Sequence, residues 1–212
     1  MIHEQTRMLD LMRDLLGDEF VRLSVVHYDL HEDFEKEHTQ ITCVVRGAGL
    51  IRGGDDRPIQ IVGNGVGPID AFFRGLLDYL HAEYPSLNSI VIDKFSVIGK
   101  LGGRGGTAPG GSQSDALASV TVGIRNSAGR SFEFVSESRS VTRSGIEATL
   151  RATEYFVNSE RAFKRAYRAL RDARERNRQD LIIRYTDLMS QLVKNTSYSD
   201  VIEQIRADLE GA

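Results

Sequence analysis

The stretch from Ile59 to Leu80, IQIVGNGVGPIDAFFRGLLDYL, constrains this chain more than any other. It opens as a short apolar strand, Ile59 to Val62, and then sets Gly63, Gly65 and Gly67 at every second position before Pro68. Proline suits the first turn of a helix, where its missing N–H costs no hydrogen bond. Beyond it Ile69, Phe72, Phe73, Leu76, Leu77 and Leu80 recur at helical spacing and predict a helix with a wide apolar face. The glycines allow a positive φ or the close approach of another atom, so Gly65 and Gly67 are expected to resist β-branched replacements. N–H groups at such a helix start suit an anion, either a phosphate or the carboxylate of a small ligand. A plain tight connection between strand and helix explains the same spelling. It matches neither the dinucleotide fingerprint G-x-G-x-x-G nor the P-loop.

The remaining chain arranges itself around that stretch. Glu4 to Leu16 reads as a helix bearing Met8, Leu11, Met12 and Leu15, with Gly17 as its stop. Phe20 to Leu30 reads as a strand, the charged run HEDFEKEH as a hairpin tip, and Thr39 to Arg46 as the return strand. Gly53 to Asp56 reads as a turn leading into Ile59. After Tyr84-Pro85 the pattern restarts. Ser89 to Ile98, Ala116 to Arg125 and Ser131 to Val135 read as strands, and Ser144 to about Asn158 as a helix. Ile59-Gln-Ile-Val62 corresponds to Phe132-Glu-Phe-Val135, and Pro68-Ile-Asp-Ala71 to Gly145-Ile-Glu-Ala148. The chain is expected to hold two tandem βββα units in an α+β fold. The boundaries expected are 1–19 for an N-terminal helix, 20–158 for the paired units (20–84 and 88–158), and 159–212 for a helical extension.

The ordered motifs resemble the C-terminal regulatory domain of 2-isopropylmalate synthases and citramalate synthases. GNGVGPIDAFFRGL is similar to that family's G-x-G-N-G-P-V-D-A segment, with Val66 where the family has asparagine. Asp93-Lys94-Phe95-Ser96-Val97 resembles its D-Y-x-V strand, the aromatic standing one place later. Ser114 to Ala118 with Val120 and Val122 resembles its T-D-A-x-x-x-V-x-V strand, and Ser144 to Thr149 its D-I-x-x-A-S helix start. The resemblance implies a pseudo-twofold pair of units, a homodimer, and a branched-chain amino-acid effector, leucine or isoleucine. It implies neither cofactor nor metal. Catalysis in that family belongs to a separate TIM barrel of about 250 residues, more than these 212 can supply. The expectation is a non-enzymatic regulatory domain standing alone and acting on a separate catalytic chain. The ligand set implied is Tyr28, Asp29, Gly63, Asn64, Gly65, Val66, Gly67, Asp70, Asp93, Asp115 and Ala116. The N–H groups from Gly65 to Ile69 would take the carboxylate, and Asp29 or Asp93 the ammonium. The side chain would lie against residues such as Phe72 or Leu76. A dimeric assembly module that keeps the fold without the effector site is the alternative.

Other features weigh less. A net charge of −3 gives no reason to expect nucleic acid as the main partner, and no run of apolar residues is long enough to span a membrane. A single cysteine, Cys43, excludes an internal disulfide and points to the cytoplasm. His27, Asp29 and His31 share a strand face at metal-competent spacing, a pattern more often found as a solvent face. Gly99 to Ser112 holds seven glycines with Lys100 and Arg104, and reads as a flexible loop. From Glu160 to Arg178 eight basic residues face three acids, a local +5 in an otherwise acidic chain. Phe163, Ala166, Leu170 and Ala173 there follow a packed-helix spacing. Helices are also expected near Asp180 to Val193 and from Ser199. Whether Ser144 to Arg178 makes one helix or two stays open at this level.

Overall fold

In a computed structural model that describes residues 2–47, 55, 57–100, 117–196, 203 and 207, the chain builds one unit twice. The first unit is β1 (Ser24–Asp33), β2 (His38–Arg46), β3 (Ile59–Gly65) and helix α2 (Pro68–Leu80). The second is β4 (Ile90–Lys100), β5 (Leu117–Asn126), β6 (Ser131–Ser138) and helix α3 (Val141–Glu175). Helix α1 (Ile2–Leu16) precedes them and α4 (Gln179–Thr196) follows. The strands form two antiparallel sheets, in the orders β1-β2-β3 and β4-β5-β6. This is the α+β fold of two βββα units expected from the sequence. The expected Ser199 helix lies almost wholly outside the described residues, as do most of the Gly53–Asp56 turn and of the glycine-rich loop.

Period-two burial explains the sheets. Thr39, Ile41, Cys43 and Val45 point inward from β2, and Ala118, Val120, Val122 and Ile124 from β5. Both first strands carry a bulge at the same place, between Val25 and His27 in β1 and between Ile92 and Lys94 in β4. Each bulge adds one residue and re-aims those after it. Counting from the bulges, His27-Tyr28-Asp29-Leu30 is equivalent to Lys94-Phe95-Ser96-Val97. The aromatic that looked displaced in the second copy therefore occupies the position of Tyr28, and Ser96 that of Asp29.

The glycine stretch differs from the expectation. β3 does not end at Val62 but stays paired to β2 as far as Gly65, opposite Thr39. No glycine between 63 and 67 has a positive φ; Gly67, the N-cap, is extended at φ −167°. What Gly63 and Gly65 allow is contact. A Cβ on Gly63 would sit 1.9 Å from the Ala71 carbonyl oxygen, and one on Gly65 would sit 2.4 Å from Asp70 Oδ2. Gly75, on the facing side of α2, would place a Cβ 2.9 Å from the Val62 carbonyl oxygen. Helix and strand touch backbone to backbone here. Gly67 has open space around it, so its expected intolerance is not supported.

One helix answers the open question about residues 144–178. Ser140 caps α3 by accepting the Arg143 N–H at 3.2 Å, so the helix begins before Ser144, and it then runs unbroken to Glu175. At 1.5 Å per residue its length is about 50 Å. Its first half packs Tyr155 and Phe156 against Phe132 and Phe134 of β6, with ring centroids 5.4–6.5 Å apart. Its second half buries Phe163, Ala166 and Leu170. Fully buried Asn158 holds the strand approach on both sides, accepting the Val21 N–H and donating to the Val21 carbonyl, each at 2.8 Å. Glu154, one turn earlier, accepts the Leu23 N–H.

Two predictions follow from this packing. Gly63→Ala should destabilise the fold by about 1–3 kcal/mol or more through overpacking, whereas Gly67→Ala should stay within about 0.5 kcal/mol. Urea melts of the two variants compare them directly, and equal losses would contradict the backbone contact. A chain cut after Asn158 should aggregate or melt far below the full chain, because it loses the buried Phe163, Ala166 and Leu170. An unchanged melting temperature would show that the tail is dispensable.

Candidate functional site

Each helix start faces the first strand of the other unit, and a cleft opens at each junction. The starts of α2 and α3 meet where Gly145 makes room for Ile69: a Cβ on Gly145 would lie 2.4 Å from Ile69 Cδ1. Beside this contact is a cleft of about 330 Å³ lined by Val66, Gly67, Pro68, Ile69, Asp70, Phe95, Val141 and Thr142. Its walls are mostly apolar, and Phe95 and Val66 are exposed at its surface. The first-turn N–H groups of α2 have no acceptor within the helix, and the helix dipole adds partial positive charge there. Asp70 Oδ2 accepts the Val66 N–H at 3.1 Å, while Oδ1 pairs with Arg74 at 3.0 Å. The carboxylate thus ties the end of β3 to the first turn of α2. Such a cleft suits a small molecule with a negative group at the helix start and an apolar group against Phe95 and Val141.

The reciprocal cleft is larger, about 740 Å³, and more polar. Here Val25, His27 and Tyr28 of β1 face Arg143, Glu147, Leu150, Arg151 and Glu154 of α3. Glu147 is the counterpart of Asp70 in the repeated Ile-acid-Ala segment, and plays the same bracing part. It pairs with Arg143 Nε at 2.8 Å and accepts the Ser136 hydroxyl at 2.7 Å. Burial alone would raise its pKa; the bonds from Arg143 and Ser136, with the charges of Arg143 and Arg151, outweigh that and hold it below the usual range. Glu154 goes the other way, raised by burial against the N–H of Leu23 and the charges of Arg151 and Arg22.

Among the residues expected at a site, Val66, Gly67 and Asp70 come together in the smaller cleft, and Tyr28 lines the larger. Gly63 and Gly65 lie behind the smaller cleft against α2. Asn64 is exposed opposite Gln40, and Asp29 is exposed opposite Thr42. Asp93 occupies the β4 bulge, 3.7 Å from Arg125 and within 3.3 Å of the Ser131 hydroxyl. Asp115 and Ala116 lie outside the described residues. Phe72 and Leu76 are buried on the core face of α2 and do not line either cleft. Sequence reasoning missed Phe95, Val141 and Thr142 as cleft residues. The equivalence of Phe95 with Tyr28 was the available signal, and the bulge concealed it. Among the described residues no group of three or more His, Cys, Asp or Glu is placed to hold a metal, His27, Asp29 and His31 included. No described helix is long and apolar enough to cross a membrane.

Residues 4–157 match the LeuA allosteric (dimerisation) domain. The chain belongs to that family. No curated protein matches the chain. The LeuA-domain match begins inside α1 and ends within α3, so both βββα units lie inside it, and the distal half of α3 and all of α4 lie beyond. The LeuA domain is an allosteric and self-associating module rather than a catalytic one. Cys43 is fully buried in β2, and burial pushes its thiol up to about 12, far from a reactive thiolate.

That thiol predicts an alkaline weakness. An unfolded cysteine loses its proton near ~8.5, while folded Cys43 keeps it to about 12. Between those values the unfolded chain binds fewer protons, so stability is intact below the lower pH and falls as pH rises. One such group gives a slope of up to ~1.4 kcal/mol per pH unit. Urea melts from neutral pH upward should show this fall, shallower in Cys43→Ala. Equal slopes in both proteins would refute the assignment.

Proposed function

We propose that this LeuA-type domain senses a branched-chain amino acid, leucine or isoleucine, and passes the signal to a catalytic chain of branched-chain amino-acid synthesis in the cytoplasm. The observation carrying this reading is the smaller cleft, where the α2 start meets Phe95 and Val141. An amino acid's carboxylate fits the N–H groups of the α2 first turn. Its branched side chain fits the apolar wall. Asp70 is the acid nearest the carboxylate end and the candidate for the ammonium, whereas Asp29 and Asp93 stand elsewhere. The larger cleft, with its alternating Arg143, Glu147, Arg151 and Glu154, offers a second zwitterion-compatible position. The domain works as a homodimer in this reading, supported by the family's self-association and by large apolar side chains exposed on the strands, such as Val62, Phe95 and Val97.

One observation favours the alternative of an assembly module without effector. Asp70 is already committed to Val66 and Arg74, and Val66 itself is 75% exposed at the rim, as a surface meant for another protein would be. A thermal-shift series over the twenty amino acids separates the two. Leucine or isoleucine should raise the melting temperature, by the equivalent of ~2.7 kcal/mol at a hundredfold excess over the dissociation constant. Phe95→Ala, at a half-exposed position, should abolish the shift while leaving the free protein folded. Absence of a shift with every amino acid at millimolar concentration sinks the sensor and leaves the assembly module.

A further inference from the structure

Beyond the matched LeuA segment, α3 presents Arg161, Lys164, Arg165 and Arg168 on one face, at the i, i+3, i+4, i+7 spacing that aligns side chains along a helix. All four line a cavity of about 490 Å³ closed by Tyr84 and Glu83 past the end of α2 and by Glu19 after α1. We propose that this cavity is a binding site for the phosphate group of a small organic phosphate. It is separate from both clefts above and independent of the amino-acid reading.

The four cations are unequally engaged. Lys164 is the settled one: its ammonium lies 2.8 Å from the buried Glu160 carboxylate, 3.4 Å from the Glu83 carbonyl oxygen, and 5.4 Å from the centre of the Tyr84 ring. Arg165 pairs with Glu19 at 2.8 Å, but both side chains are about half exposed, and such pairs exchange partners readily. Arg161 donates to the Tyr84 hydroxyl at 3.1 Å, a neutral acceptor, and its Nε is buried without an acceptor among the described residues. Among the described residues neither Arg161 nor Arg168 has a carboxylate partner. Every i,i+3 and i,i+4 pair within the four is a like-charge pair, a repulsion that Glu160 and Glu19 relieve in part and a bound anion would relieve further.

Guanidinium groups present paired donors that match phosphate oxygens, and Arg161, Arg165 and Arg168 supply three of them around one cavity. The cavity volume is in the range of small-molecule sites, larger than a bare phosphate ion needs. The aliphatic stems of the cations give the organic part what apolar surface there is, since the Tyr84 ring is almost wholly buried beneath Lys164. Because the site is closed by residues of α3 on one side and of the α1 and α2 ends on the other, occupancy would also fasten the tail to the paired units.

Calorimetric titration of the full chain tests this, with inorganic phosphate, glycerol 3-phosphate and a single-stranded oligonucleotide as probes at matched ionic strength. The ester should bind at least as tightly as inorganic phosphate, and Arg168→Ala, at an exposed position, should weaken it by about tenfold. Arg161→Gln should weaken it further; circular dichroism checks that this variant remains folded. Three outcomes would overturn the proposal: no heat from phosphate or ester at millimolar concentration, undiminished ester binding in Arg168→Ala, or binding of the oligonucleotide alone.

Discussion

The two hydrogen bonds between the Asn158 side chain and the Val21 backbone decide how the halves of this protein fit together. An amide that both donates to and accepts from one residue reproduces a step of sheet pairing, using a side chain of a buried helix in place of a strand. It leaves both polar groups of Val21 satisfied as the chain crosses α3, where no neighbouring strand could reach them. Glu154, one turn earlier, only accepts, taking the Leu23 N–H and so satisfying one of that residue's two polar groups. Losing either would strand backbone polar groups in the interior, a cost larger than the net worth of an ordinary hydrogen bond. These bonds deliver β1 to its place beside α3, and the larger cleft exists because of that placement.

The smaller cleft depends on a different economy of space. Gly63 and Gly75 let α2 lie directly on β3, and Gly145 lets the start of α2 touch the start of α3. Removing side chains from these contacts brings two helix starts and one strand close enough that Phe95, Val66 and Val141 share a cavity. Asp70 and Glu147 then brace their respective helix starts, each using one oxygen for the preceding segment and one for a neighbouring arginine. Repetition of that device in both units is why the two junctions are alike in plan. They differ in lining because β1 brings histidine and tyrosine to its junction, whereas β4 brings phenylalanine.

The distal half of α3 is continuous with the LeuA-type domain in structure though not in family membership. The same helix carries the aromatic cluster of the second unit, the amide clamp on Val21, and the row of cations around Tyr84. A ligand held at that row would act on a helix whose other end borders both clefts. Distance along a rigid helix is not itself coupling. It does place the cationic cavity and the clefts on one structural element.

The sequence by itself determined the repeat. Alternation in the strands, helical spacing after Pro68 and the paired Ile-Asp-Ala and Ile-Glu-Ala segments are local signals, and local signals survive without knowledge of the fold. The family resemblance rested on the same residues. Only tertiary structure decided what the glycines are for. A glycine that admits a backbone contact reads the same as one that turns the chain, and the atoms Gly63 avoids belong to Ala71 and Gly75, which its own letter does not name. The equivalence of Phe95 with Tyr28 was hidden for a related reason: a bulge shifts alternation by one, and bulges are set by the neighbouring strand. Asn158 and Glu154 were illegible as clamps because their partners lie 131 to 137 residues away, on backbone that any sequence would present. Patterns within an element are written in its own residues, whereas sites between elements are written in distances that the packing alone sets.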